Sequence, residues 1–508
     1  MASQFWSSRL GLVFAAAGSA VGLGNFLRFP GQAYTNGGGS FLVPYIVCFF
    51  LIAIPLCWVE WSLGKMGGQK GKHSCAGILS LFTQSKFLQS FSGSLAVLIP
   101  GGVYLYYAVI QSWCLAYFLV FLGIIDFGPM SNADQTKVVF ESISKSSGNG
   151  FELSNAFWCL ILTMLLNSLV IVSGFLNSIE RFCLIAIPVM ALCAFFVLIR
   201  VLTLGTPDPE FPERNVWNAL GFMWNPRGVD DPNWLNNLLN PQIWLSAFGQ
   251  VFFSLSVGLG ILMHYASYVR KNQDIALSSF SASSTNGFFE VCVGGLITIP
   301  VIFLFLGENF NPDSSFSLGF ISMPLVFQKM TWGNLFGALW FLMLFLAAIT
   351  SAISMISPVV AFIREYFDLG EKKARVVGTL ILSGGNLLLY YFSKNLTLLS
   401  TLDFWIGTVA VFLFCASFLL IALREIGLEK ILECIKENAL INVPNFTKYL
   451  LRWIAPFLFV VIFVSWLILN CKSLVSSINS LEAFIAVGII ILSYLFLSSV
   501  IIVRGGKQ

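Results

Sequence analysis

The chain has 508 residues, 57% of them hydrophobic and only 10% charged, with a formal net charge of +4 and a mean hydropathy of +0.84. No soluble fold hides that much apolar surface, which excludes soluble enzymes and leaves a polytopic membrane protein embedded in a lipid bilayer. The basic residues are scattered among loops, so no nucleic-acid surface is expected.

The opening residues, MASQFWSSRLG, run straight into an apolar stretch without an n-region or a cleavage site, so no cleavable signal is expected. Twelve stretches of membrane-spanning length follow. They lie near 10–29, 41–63, 95–122, 157–174, 183–204, 243–265, 287–306, 332–362, 376–391, 405–423, 451–469 and 483–503. Only helices suit this pattern, because barrel strands would alternate in pieces of about ten residues. An even number of spans puts both termini on one side. The larger share of the Lys and Arg residues falls on the side of the amino terminus, including Lys65, Lys70, Lys72, Arg270, Lys271, Lys372, Lys373 and Arg375. That side is therefore expected to be cytoplasmic. Polar residues 126–152 and 206–241 become extracellular loops, as does 307–331, which is long enough for short helices. The eleven cysteines sit mostly within apolar stretches, so buried thiols are expected rather than a disulfide framework.

The tetrapeptide VGLG occurs twice, at 21–24 in the first stretch and at 257–260 in the sixth. Two glycines in four residues cost a helix about 2 kcal/mol against alanine. An offset of five spans reverses direction through the membrane, so spans 1–5 and 6–10 read as inverted relatives. Residues 1–204 would form the first half, 205–238 an extracellular loop, 239–425 the second half, and 426–508 spans 11 and 12 with a cytoplasmic tail. Paired glycine-interrupted helices in inverted halves point to a binding site at the midplane. For four residues alone, chance or close helix packing is the competing explanation.

Longer motifs surround the repeat: GSAVGLGNFLRFP, NGGGSFLVPY, YYAVIQSW, GQVFFSLSVGLG, YASYVRKNQDI, TNGFFEV, AAITSAIS and LDFWIGT. In this order they resemble the neurotransmitter:sodium symporter family, and its bacterial LeuT-type amino-acid transporters in particular, over essentially residues 6–470. The resemblance implies an all-α protein of twelve transmembrane helices, a LeuT-like 5+5 inverted repeat with unwound helices 1 and 6. It implies sodium-coupled symport of an amino acid by alternating access, with two Na+ ions. A non-transporting amino-acid sensor with the same binding site is the alternative reading. A channel would want a continuous polar pore, and no nucleophile–base constellation supports an enzyme.

Carried over residue by residue, the first sodium site is the carbonyl of Ala20, the side chains of Asn25 and Asn286 and both oxygens of Ser254. The substrate carboxylate completes it. The second site takes the carbonyls of Gly18, Val21 and Ala347 and the hydroxyls of Thr350 and Ser351. A lone hydroxyl in a membrane helix could equally bond back to its own preceding turn. Gly22 stands where relatives that take monoamines carry an aspartate, so the substrate should bring its own carboxylate. That group would meet the amides of Leu23 and Gly24 and the Tyr107 hydroxyl. The ammonium would meet carbonyls of the opened spans, Ala20 and Ser254 among the binding residues, and the Ser351 hydroxyl. The wall formed by Val103, Phe253, Ser256, Leu259 and Met355 suits leucine, isoleucine, valine or methionine.

Charges inside a membrane ask for functional readings. Arg28 and Asp403 match the family's extracellular gate, which closes with Tyr107 and Phe253. Glu60 should accept hydrogen bonds from the opened backbone of span 6. Glu290 stands where chloride-requiring relatives have serine, close to Tyr45, Gln250 and Ser254, so it should balance charge and make chloride dispensable. The family's inner-gate arginine and aspartate are Ser3 and Glu365 here, so that ion pair cannot form as such. In span 5 the family's glycine, ahead of Pro188, is Ser178, which unwinds less readily. His73 and His264 are expected to be uninvolved interfacial residues. A bacterial inner membrane is the expected location, and the oligomeric state is left open.

Overall fold

The computed structural model describes residues 5–144, 153–174, 176–226, 234–308, 315–392, 396–476 and 481–505. The regular structure in these residues is helical. Helices α1 (Arg9–Ala20) and α2 (Gly24–Thr35) form a pair bent by 50°. They are followed by α3 (Gly39–Gln69), α4 (Lys86–Phe121), α5 (Asn155–Ser173) and α6 (Leu176–Leu202). Further along the chain come α7 (Pro241–Ser254), α8 (Ile261–Ala266) and α9 (Ala276–Leu306). The chain ends with α10 (Gly333–Tyr366), α11 (Glu371–Phe392), α12 (Thr397–Lys436), α13 (Thr447–Ser465) and α14 (Glu482–Gly505).

Among the described residues nine helices are long and apolar enough to cross a membrane, and the bent pair makes a tenth. Two expected spans fall outside that group for physical reasons. The stretch near 243–265 is interrupted between α7 and α8, so neither piece is long enough alone. The stretch near 376–391 lies in α11, whose apolar content is diluted by Glu371, Lys372, Lys373 and Arg375 at its start and by Gly384, Gly385 and Asn386 midway. The connections between the long helices hold short ones, Ala133–Ser144 and Val216–Trp224 among them.

The core lies along α4 and α10, which pack on one another more extensively than any other pair. In its most apolar window α4 is 94% buried, whereas α14 is 11% buried, so α4 is interior and α14 lies at the periphery. Helix α1 packs between α6, α9 and α10, and the first turns of α2 pack against the middle of α9. α7 lies on the first half of α3 and α8 on its second half. Several helices carry wide π-helical turns, at 24–28, 288–295 and 403–410 for example, and such turns frequently mark functional sites. The side chains of ten of the eleven cysteines are described, all free and nine of them buried, as expected.

Candidate functional site

The two breaks sit next to one another, and a single carbonyl joins them. Ser256, between α7 and α8, donates its hydroxyl to the oxygen of Ser19 at 3.2 Å. Ser351 of α10 donates to the same oxygen, also at 3.2 Å. Both breaks expose backbone amides inside a membrane, where an unpaired amide is costly. The Gly22 and Gly258 amides each find a side-chain partner. Asn25 caps the first break by accepting from the Gly22 amide at 2.8 Å. Glu60 caps the second by accepting from the Gly258 amide at 3.1 Å, which is the role expected for it.

Below the first break, the residues assigned to the first sodium site form one buried chain. The Asn25 amide group donates to Asn286 Oδ1 at 2.8 Å, and Asn286 Nδ2 donates to Ser254 Oγ at 2.6 Å. Ser254 in turn donates to Glu290 at 2.7 Å. Tyr45 donates to the same carboxylate at 2.5 Å, and Gln250 bonds its other oxygen. Asn25, Asn286 and Glu290 are fully buried, with Ser254 and Gln250 nearly so. Neutral oxygens backed by one carboxylate suit a hard monovalent cation carried as cargo.

For the second site, Ser351 Oγ lies 3.4 Å from the Gly18 carbonyl and 3.2 Å from that of Ala347. Thr350 Oγ1 lies 3.0 Å from the Ala347 carbonyl and 3.2 Å from that of Leu346. The bond back to the preceding turn and the approach to α1 thus coexist. Val21 is buried and caps α1 by donating its amide to Ala17.

The Leu23 amide donates to the Tyr107 hydroxyl at 3.2 Å, so the two groups expected to hold a carboxylate are neighbours. A Cβ on Gly22 would stand 2.7 Å from that hydroxyl and 2.9 Å from Ser351 Oγ. Arg28 lies over the Phe253 ring, 4.3 Å from its centroid. Asp403 accepts from Tyr106 at 2.8 Å. These side chains, with Tyr107, Gly24 and Leu27, line a cavity of about 230 Å³, and Arg28 and Asp403 do not pair directly across it. Val103, Ser256, Leu259 and Met355 are buried and none of them lines that cavity. Sequence reasoning missed Tyr106 and the Ser19 carbonyl. The adjacent Tyr106–Tyr107 pair was the one visible hint; a backbone acceptor leaves none.

The family model described as the sodium:neurotransmitter symporter family matches residues 3–156 and 137–505. The chain belongs to that family. An uncharacterized sodium-dependent transporter of Methanocaldococcus jannaschii is 29% identical over 90% of this chain and 89% of its own. The uncharacterized sodium-dependent transporter YhdH of Bacillus subtilis is 30% identical over 73% of this chain and 74% of its own. A sodium-dependent nutrient amino acid transporter of Drosophila grimshawi is 27% identical over 80% of this chain and 68% of its own. Among solved structures, MhsT in complex with L-phenylalanine superposes with a TM-score of 0.74 at 25% identity, covering 91% of this chain and 99% of that one. This family member is thus a membrane transporter of the sodium-dependent class.

At the end of the molecule where α1 begins, this family member departs from the expected family pattern. Ser3 lies outside the described residues. Glu365 pairs with Lys72 at 3.1 Å and accepts from the Ser74 amide at 3.0 Å. Arg9 pairs with Asp274 at 3.2 Å. Helix α6 runs unbroken through Ser178 and Pro188. The two histidines are not loose interfacial residues, as expected, but packed together. His264 Nδ1 lies 2.8 Å from the His73 carbonyl, and the His73 ring stacks on Tyr268 at 4.2 Å. Burial lowers the His73 pKa, with Glu365 pulling the other way.

Proposed function

We propose that this chain is a sodium-coupled symporter of hydrophobic amino acids that works by alternating access, carries two sodium ions and does not need chloride. Counting α1 with α2 and α7 with α8 as single spans, and adding α11, brings its helices to twelve. Spans 1–5 and 6–10 are then two inverted halves, with both termini cytoplasmic in a plasma membrane. The relatives that take nutrient amino acids and the L-phenylalanine bound to MhsT support the substrate class. Gly22, with no carboxylate to meet an ammonium, supports a zwitterion over an amine. The buried apolar side chains Val103, Phe253, Leu259 and Met355 favour leucine, isoleucine, valine or methionine.

One observation carries the reading: the buried Asn25–Asn286–Ser254 chain ends on the Glu290 carboxylate. Sodium held by Ala20, Asn25, Ser254 and Asn286 touches the substrate carboxylate, so the two bind as a unit. Glu290 sits one hydrogen bond away and supplies the negative charge that chloride supplies in relatives with serine at that position. Return of the empty carrier then favours a protonated Glu290, giving a proton counterflow.

Uptake of leucine into proteoliposomes under a sodium gradient, with chloride or gluconate as the anion, tests this. The wild type should take up leucine equally in both, and Glu290→Ser should become chloride-dependent. A wild type that needs chloride, or a folded Glu290→Ser indifferent to it, would end the charge-balancing role.

A further inference from the structure

Glu180 has no part in either sodium site, yet it is a nearly fully buried carboxylate near the cytoplasmic start of α6. Its hydrogen bonds among the described residues are all with the beginning of α1. Its Oε2 accepts from the Ser7 amide at 3.1 Å, and its Oε1 accepts from the hydroxyls of Ser7 and of Ser8, the latter at 2.9 Å. Ser8 is at the same time the N-cap of α1, accepting from the Gly11 amide at 2.9 Å. The carboxylate therefore sits at a helix N-terminus, where the helix dipole and unpaired amides favour negative charge. Gly11 makes room for it, since a Cβ there would overlap the Glu180 carboxylate. The other side of the segment is held by the inner half of span 6. Trp6 donates its indole N–H to the Tyr265 carbonyl at 2.9 Å and packs edge-on against that ring at 5.1 Å.

We propose that Glu180 is the cytoplasmic latch of this transporter, a positioning residue that closes the inner side by capping the start of α1. It stands in for the inner-gate ion pair that Ser3 cannot form. The inference rests on the alternating-access reading: residues 6–8 fill the space between α6 and α8, and inner opening must pull them out. Three charge-assisted donors to one carboxylate make the closed form the favoured one, and opening must break them together.

Hydrogen exchange measured by mass spectrometry on the full chain in lipid nanodiscs tests the latch. In sodium-free buffer, Glu180→Gln should speed exchange of residues 9–20 about tenfold, with α4 and α10 unchanged, as the loss of a charge-assisted contact predicts. Sodium alone should restore most of the protection. Gly11→Ala, which keeps the charge but takes its space, should give the same rise, and combining it with Glu180→Gln should add nothing. Should either variant fail to fold, Ser7→Ala with Ser8→Ala removes the hydroxyl donors at exposed positions and should give part of the rise. Unchanged exchange, or an equal rise across α4 and α10, would overturn the latch. Absent sodium-driven leucine uptake with this exchange pattern intact would instead overturn the symport reading and leave the contact standing.

Discussion

The two copies of VGLG break their helices for different reasons. In the second copy Gly258 and Gly260 have φ of +77° and +74°, and Ser256 just before them has +56°. Glycine is there because the backbone takes a left-handed path that side chains with a Cβ resist. In the first copy neither Gly22 nor Gly24 has a positive φ. Glycine is there because the Tyr107 hydroxyl, Ser351 and the Phe253 ring press close to where a Cβ would point. The breaks differ in size to match: six residues separate α7 from α8, but only Val21–Leu23 separate α1 from α2. Identical tetrapeptides thus serve backbone shape in one place and close side-chain packing in the other. Substitutions in the second copy should damage the fold, and those in the first should damage binding.

Gly258→Ala should have the largest effect on the fold. The left-handed φ costs about 1–2 kcal/mol for a residue with a Cβ, and overlap with Cys415 adds about 1–3 kcal/mol more. Thermal unfolding in detergent should show a clear loss of melting temperature. A wild-type melting curve would mean that the second break does not depend on glycine.

Gly22→Asp should leave a folded protein that has lost leucine. Its carboxylate would crowd the substrate carboxylate beside Tyr107, lowering affinity by at least about 100-fold, or roughly 2.7 kcal/mol. Equilibrium binding of radiolabelled leucine measures this, alongside a melting temperature closer to wild type than that of Gly258→Ala. Retained leucine affinity in the folded variant would sink the proposed pose.

The caps sharpen the contrast further. Asn25→Ala removes the side chain that closes the first break, and Asn286→Ala removes its partner. Each should weaken sodium and leucine binding by one shared factor, about tenfold, since linkage makes the coupling reciprocal. Leucine affinity that drops without a change in its sodium dependence would separate the ion from the substrate. Gly24→Ala is the mildest change. A Cβ there meets the edge of the Phe253 ring at 3.1 Å, with no backbone penalty. The ring can give way by a few tenths of an ångström, so leucine affinity should fall only about 2–5-fold. A collapse of the fold in this variant would erase the difference between the two copies.

Much of this site was legible in the chain. Asn25, Ser254, Asn286 and Glu290 were placed together by motif, and the structure brings them into one hydrogen-bonded chain. Glu60 on the Gly258 amide was legible too, because a membrane-buried carboxylate near an opened helix has few other uses. The Ser256 hydroxyl was expected in the substrate wall, yet it donates to the Ser19 carbonyl. A hydroxyl's direction depends on the local φ, and no residue pattern marks a serine for a left-handed turn. Asp403 was read as the partner of Arg28, but its hydrogen bond comes from Tyr106, while Arg28 rests on Phe253. Charge signs in a sequence name possible pairs; distances across a cavity choose among them.

By itself the sequence determined the environment, the helical class and where helices must weaken, because hydropathy adds up along a segment and the cost of glycine is local. It also determined the family, since long ordered motifs survive rotation and register. Tertiary structure alone decided why each glycine is needed, which carbonyl ties the two breaks together, and that Glu180 holds the start of α1. Those contacts join residues 332 and 173 positions apart. They depend on how deep each helix sits and which way it is turned, and neither quantity is written in any local stretch of residues.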